Sequence, residues 1–152
     1  MSTTRTRIKE AYGLDEDIGV FLMPSGSDAE YIPLFITKLL NPDKRILNVV
    51  CCNEEVGSGT LDAAGGKLFS PVEPIQGYTD GTSKAGSPVE GLSSDVETVA
   101  INARMANGDV INKNGRISMI LKDCSENEKV PILHTVHGSK TGIVEEFYDQ
   151  NV

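Results

Sequence analysis

Ser25, Gly26 and Ser27 carry the plainest chemistry in this 152-residue chain. They follow an apolar stretch of strand length, residues 18 to 23, and a helical pattern starts directly behind them. A turn in that position opens a helix with free backbone N–H groups, the place where a folded chain holds an anion. The hydroxyls of Ser25 and Ser27 add two donors, and Gly26 has no Cβ to keep a bulky ligand off the backbone. A phosphate group fits that description. The same residues also satisfy a description without a ligand. Ser27 followed by Glu30 is a capping box, which pairs orphan amides internally and stabilises a helix start by roughly 1 kcal/mol.

Other polar clusters are weaker. His134 and His137 are the only histidines, and a spacing of three in a strand sends them to opposite faces, which disfavours a two-histidine metal site. Glu54 and Glu55 alternate in the same way, so at most one of them faces a given site. Gly138-Ser139-Lys140-Thr141-Gly142 lacks the glycine spacing of a nucleotide P-loop. Cys51, Cys52 and Cys124 are odd in number and badly spaced for a disulfide framework or zinc, and read as buried reduced thiols.

The elements that must position these residues alternate. A short helix is expected over residues 4 to 12, ended by Gly13, then a strand at 18 to 23 and a helix from about Asp28 to Leu40. Pro33 falls inside that helix and should kink it. Residues 46 to 52 are almost continuously apolar, the pattern of an inner parallel strand covered on both faces. A glycine- and proline-rich excursion at about 53 to 94 follows, with a short helix at 59 to 65 inside it. Residues 96 to 104 then alternate as a strand, 111 to 123 as a helix, and 130 to 137 as a third buried strand. The expectation is one α/β domain over residues 1 to 152, three-layered, with a mostly parallel sheet and flanking helices. In such a sheet ligands bind at the carboxyl ends of strands.

Three segments in this order carry a family likeness: Pro24-Ser25-Gly26-Ser27-Asp28-Ala29-Glu30, then Glu54-Glu55-Val56-Gly57-Ser58-Gly59-Thr60, then the stretch from Leu133 to Gly142. Together they resemble the large domain of fold type I pyridoxal-phosphate enzymes, the aminotransferase-like superfamily, over roughly residues 5 to 145. The resemblance implies that Ser25, Gly26 and Ser27 hold the phosphate of pyridoxal phosphate. It further implies that Glu55, with Glu54 beside it, approaches the ring face, and that Ser139 reaches the ring oxygen. It implies an incomplete large domain, because the family's pyridine-pairing aspartate and Schiff-base lysine belong to later segments, and Lys140 does not stand at that lysine's place.

The expected function is therefore the cofactor-phosphate-binding part of a pyridoxal-phosphate-dependent transferase or lyase, inactive as this chain alone. The alternative is a non-catalytic structural or interaction subunit of a larger assembly derived from such an enzyme. A third reading, a small anion- or nucleotide-binding α/β module, rests on the Ser25 to Ser27 turn alone. The first two imply another protein chain or a homo-oligomer as partner, and leave room for a small-molecule substrate. A net charge of −8 disfavours nucleic acid and anionic membrane as partners. No apolar run approaches a bilayer span, and residues 1 to 5 lack the apolar core of a signal peptide, so a cytoplasmic or other reducing compartment is expected.

Overall fold

The computed structural model describes residues 3–71, 84–136 and 140–143. Helix α1 spans Thr4–Tyr12. It is capped by the Thr3 hydroxyl, which accepts from the Thr6 amide, and it stops at Gly13 with a left-handed φ of 61°. No residue of α1 is buried, in keeping with its narrow apolar face.

The expected first strand does not form. Residues 18–23 run as irregular backbone, with Ile18, Phe21, Leu22 and Met23 exposed. An apolar run becomes a strand only when a neighbouring strand completes its hydrogen bonds, and no described strand pairs with it. The strand–helix–strand crossover expected at this end is therefore replaced by a loop leading into helices α2, Gly26–Ala29, and α3, Tyr31–Leu40.

The break between α2 and α3 at Glu30 also settles Pro33. It is the third residue of α3, in the first turn, where its missing N–H has no intrahelical acceptor to lose. The expected kink inside a single helix is thus a restart two residues upstream of the proline's neighbour Ile32.

Strand β1, Arg45–Cys51, is buried from Ile46 onward and occupies the centre of a three-stranded sheet. It is flanked by β2, Val96–Ile101, and β3, Lys129–His134, both parallel to it. β3 is accordingly an edge strand, half-buried rather than fully covered, and Pro131 sits in it where an edge tolerates a residue that cannot donate. Between β1 and β2 lies α4, Thr60–Ala64. Between β2 and β3 runs α5, Lys113–Glu126, whose N-cap Asn112 accepts from the Gly115 amide.

Alternation along β1 sorts the two faces. Leu47, Val49 and Cys51 join Ile101, Ile117 and Cys124 in one core, with Ile120 and Leu133 against it, so α5 covers that face. Ile46, Asn48 and Val50 point the other way, toward the side where α3 packs on β3 and α4 on β2. The result is an α/β domain with a three-stranded parallel sheet and helices on both faces. β1 leads to α4 on one face and β2 leads to α5 on the other, so adjacent strands send their connections to opposite sides of the sheet.

Candidate functional site

The carboxyl ends of β1 and β3 gather most of the polar residues singled out above. After β1 the chain turns sharply: Cys52 takes a left-handed φ of 51°, and the Glu55 amide donates back to the Cys52 carbonyl at 2.8 Å. This turn splays the two glutamates apart. Glu54 reaches toward the end of β2, where both carboxylate oxygens accept from the Ala103 amide at 3.1 and 2.9 Å. Glu55 reaches the other way, to the loop beyond β3. One of its oxygens accepts from the Lys140 amide at 2.7 Å and the other from the Thr141 amide.

That second contact is reinforced. Lys140 Nζ donates to the Glu55 carbonyl at 2.9 Å. Arg104, just past β2, donates to the Thr141 carbonyl from Nε at 3.3 Å and Nη2 at 3.1 Å, and to the Gly108 carbonyl from Nη1 at 2.9 Å. Desolvation pushes the Glu55 carboxyl upward, but the Lys140 amide, the Thr141 hydroxyl and amide and the charge of Lys140 outweigh it and hold its pKa below the ordinary value. Thr141 Oγ1 is sealed from solvent.

The Ser25 to Ser27 turn uses a different cap from the one expected. Ser25, not Ser27, is the N-cap: its Oγ accepts from the Asp28 amide at 3.2 Å and donates to Asp28 Oδ2 at 2.6 Å. Ser25 is thereby engaged within its own turn. The amides of Gly26 and Ser27 fall in the first helical turn and have no intrahelical acceptor. Space beside Gly26 is open, since a Cβ there would meet nothing within 4 Å. Ser27 lies beside the loop after β1, its Oγ 4.0 Å from where a Cβ on Gly57 would stand. The donors expected for a phosphate are therefore present at Gly26 and Ser27, next to the glycine-rich segment that follows Glu55.

Glu30, the partner expected for Ser27, is turned elsewhere. Its Oε2 lies 2.5 Å from His134 Nδ1. His134 Nε2 is in turn 2.8 Å from Oδ1 of Asn48, which is fully buried in the central strand. His134 is a core histidine tied to both neighbouring elements. Ser139 and His137 lie outside the described residues.

Sequence reasoning did not single out Arg104, Thr141 or Asn48. A polar residue in the middle of an apolar strand was the available signal for Asn48; nothing in the spacing marked Arg104, whose role depends on where the loop beyond β3 falls. It also missed Lys113, which is buried at the start of α5 and donates from Nζ to Cys52 Sγ at 3.4 Å. The three cysteines are buried thiols outside any disulfide, as expected.

Among the described residues no cluster of three or more His, Cys, Asp or Glu can hold a metal ion, and no helix is long and apolar enough to cross a membrane. Comparison of the chain with protein-family models, with curated proteins and with solved structures finds no match in any of the three.

Proposed function

We propose that this chain holds the phosphate end of pyridoxal phosphate at the Ser25 to Ser27 turn, as the cofactor-phosphate-binding part of a fold type I enzyme. One observation carries the reading: the segments bearing the resemblance meet at one end of the parallel sheet. The Ser27 hydroxyl faces the Gly57 loop, and Glu55, two residues earlier, bonds Lys140 and Thr141. Open sheets bind ligands at that end. The donor set suits a phosphate, with the Gly26 and Ser27 amides and the Ser27 hydroxyl available and Ser25 fixing the turn's shape. The cofactor, when bound, supplies an electron sink for carbanion chemistry; the residues here bind and orient its phosphate. Lys140 is held on the Glu55 carbonyl, which agrees with a covalent lysine supplied from elsewhere.

Equilibrium binding of pyridoxal phosphate and of unphosphorylated pyridoxal tests this. The phosphorylated form is expected to bind roughly tenfold tighter or better, and Gly26→Val should abolish the preference while leaving the fold intact, because the space beside Gly26 is open. Equal affinity for the two compounds would overturn the reading.

A second reading rests on a different observation. Helix α3 is apolar on its outward side, with Phe35, Leu39 and Leu40 exposed at 51%, 66% and 75%, and Phe21 and Leu22 are exposed as well. Exposed apolar side chains grouped on one helix belong under a cover. This favours a non-catalytic interaction subunit within a larger assembly. Sedimentation at micromolar concentration should show association that Leu39→Glu disrupts; a monomer at every concentration, in cell extract as well as alone, contradicts it.

A further inference from the structure

The corner built by Lys140 and Thr141 is an anion site with an internal occupant. Two successive backbone amides point at one carboxylate, one amide to each oxygen of Glu55. Consecutive amides arranged in this way form a nest for a pair of anionic oxygens. The surroundings are cationic: the Lys140 ammonium is on the Glu55 carbonyl 2.9 Å away, and the Arg104 guanidinium fastens the Thr141 carbonyl from below with two bonds. Beside them the Thr141 hydroxyl is sealed from solvent against the same carboxylate. Glu55 itself is only half-buried, so the corner is open to solvent.

We propose that the Lys140–Thr141 nest is a binding site for the carboxylate of a small ligand, and that Glu55 occupies it as a tethered competitor. A ligand carboxylate enters by exchanging its two oxygens for those of Glu55, with the same two amides as donors. The Glu55 side chain then swings to solvent, which the half-exposed turn after β1 permits. Breaking the tie separates Lys140 and Thr141 from Glu55 in the turn after β1. The site does not depend on any cofactor at the Ser25 to Ser27 turn.

A tethered competitor acts at a high effective concentration, so its removal raises the apparent affinity for a free ligand by a large factor. Acetate, with sulfate and chloride as comparison anions, is titrated into the wild type, Glu55→Ala and Glu55→Gln at neutral pH while the Lys140 and Thr141 amide resonances are followed. The expected result is a saturable acetate shift at both amides in Glu55→Ala, at roughly tenfold lower concentration than in the wild type, with Glu55→Gln between the two and chloride without effect. Arg104→Gln added to Glu55→Ala should remove the gain. Equal acetate affinity in wild type and Glu55→Ala would overturn the proposal, as would an equal response to chloride. Loss of ordered Lys140 and Thr141 signals in both Glu55 variants would also overturn it, because Glu55 would then be a structural tie and nothing more.

Discussion

His134 closes the third strand onto the head of α3 through Glu30: its Nδ1 lies 2.5 Å from Glu30 Oε2, and its Nε2 lies 2.8 Å from Asn48 Oδ1. Glu30 and Asn48, the latter buried in the central strand, thus hold the imidazole from its two sides. Asn48 Nδ2 is buried with no hydrogen-bond partner among the described residues. Replacing the imidazole with an apolar group strands two polar partners at once. His134→Leu is expected to lower stability by about 2 kcal/mol, measured by urea unfolding, whereas an effect under about 0.5 kcal/mol would mean that the contact is incidental.

Gly66 sits where the chain leaves α4 and must do two things no other residue does. Its φ is +70°, and a Cβ would stand 2.8 Å from the Leu92 carbonyl carbon and 2.9 Å from both Leu92 O and Ser93 N. These are backbone atoms of a segment that the Val89 amide ties back to the Gly66 carbonyl at 2.9 Å, so they cannot yield as a side chain would. Gly66→Ala should destabilise by about 3 kcal/mol. Gly26→Ala, with open space around it, should change stability by well under 1 kcal/mol and serves as the paired control in thermal unfolding.

The tie between Glu55 and the loop beyond β3 has a defined pH dependence. Its carboxyl titrates below the ordinary value of 4.5 in the folded chain. A depressed carboxyl contributes stability above its unfolded pKa and loses it as pH falls through the folded one. The tie is therefore intact at neutral pH and lost in acid, as pH falls below the ordinary carboxyl value. The Lys140 and Thr141 amide shifts should move together over that range in the wild type and stay flat in Glu55→Gln.

Burial and the neighbouring Asp123 push the Cys124 thiol above its ordinary value, though Lys129 partly offsets them. With Cys51 and Cys52 fully buried and Cys124 nearly so, none of the three presents an accessible thiolate. Iodoacetamide at neutral pH should label no cysteine of the native protein and all three in urea; fast labelling of any one in the native state would contradict the packing of the sheet's core.

Much of the fold was legible because its signals are local. The apolar run at β1, the alternation at β2 and the cap Gly13 each name an element without help from the rest of the chain. The run at 18–23 carries an equally good strand pattern and forms none, because a strand depends on a neighbour and pairing is not written in the residues themselves. The same limit explains β3: its apolar content suggested full burial, but its place at the edge was fixed by how α5 crosses the sheet.

The candidate site was legible in part. Ser25, Gly26 and Ser27 stand at a helix start as the spacing required, with the capping role moved from Ser27 and Glu30 to Ser25 and Asp28. Nothing local announced that Glu30 would turn inward to His134, or that Glu55 would meet Lys140 and Thr141 eighty-five and eighty-six residues away. Such contacts are products of topology, since parallel strands bring their carboxyl ends together whatever their separation in sequence.

The central claim is that the Ser25 to Ser27 turn holds a phosphate. The most direct test is a titration of the isotopically labelled chain with pyridoxal phosphate, reading the Gly26 and Ser27 backbone amides. The account predicts saturable shifts at these two amides, reproduced by inorganic phosphate at higher concentration, absent with pyridoxal and abolished by Gly26→Val. Unmoved Gly26 and Ser27 amides at a pyridoxal phosphate concentration that shifts other residues would contradict it.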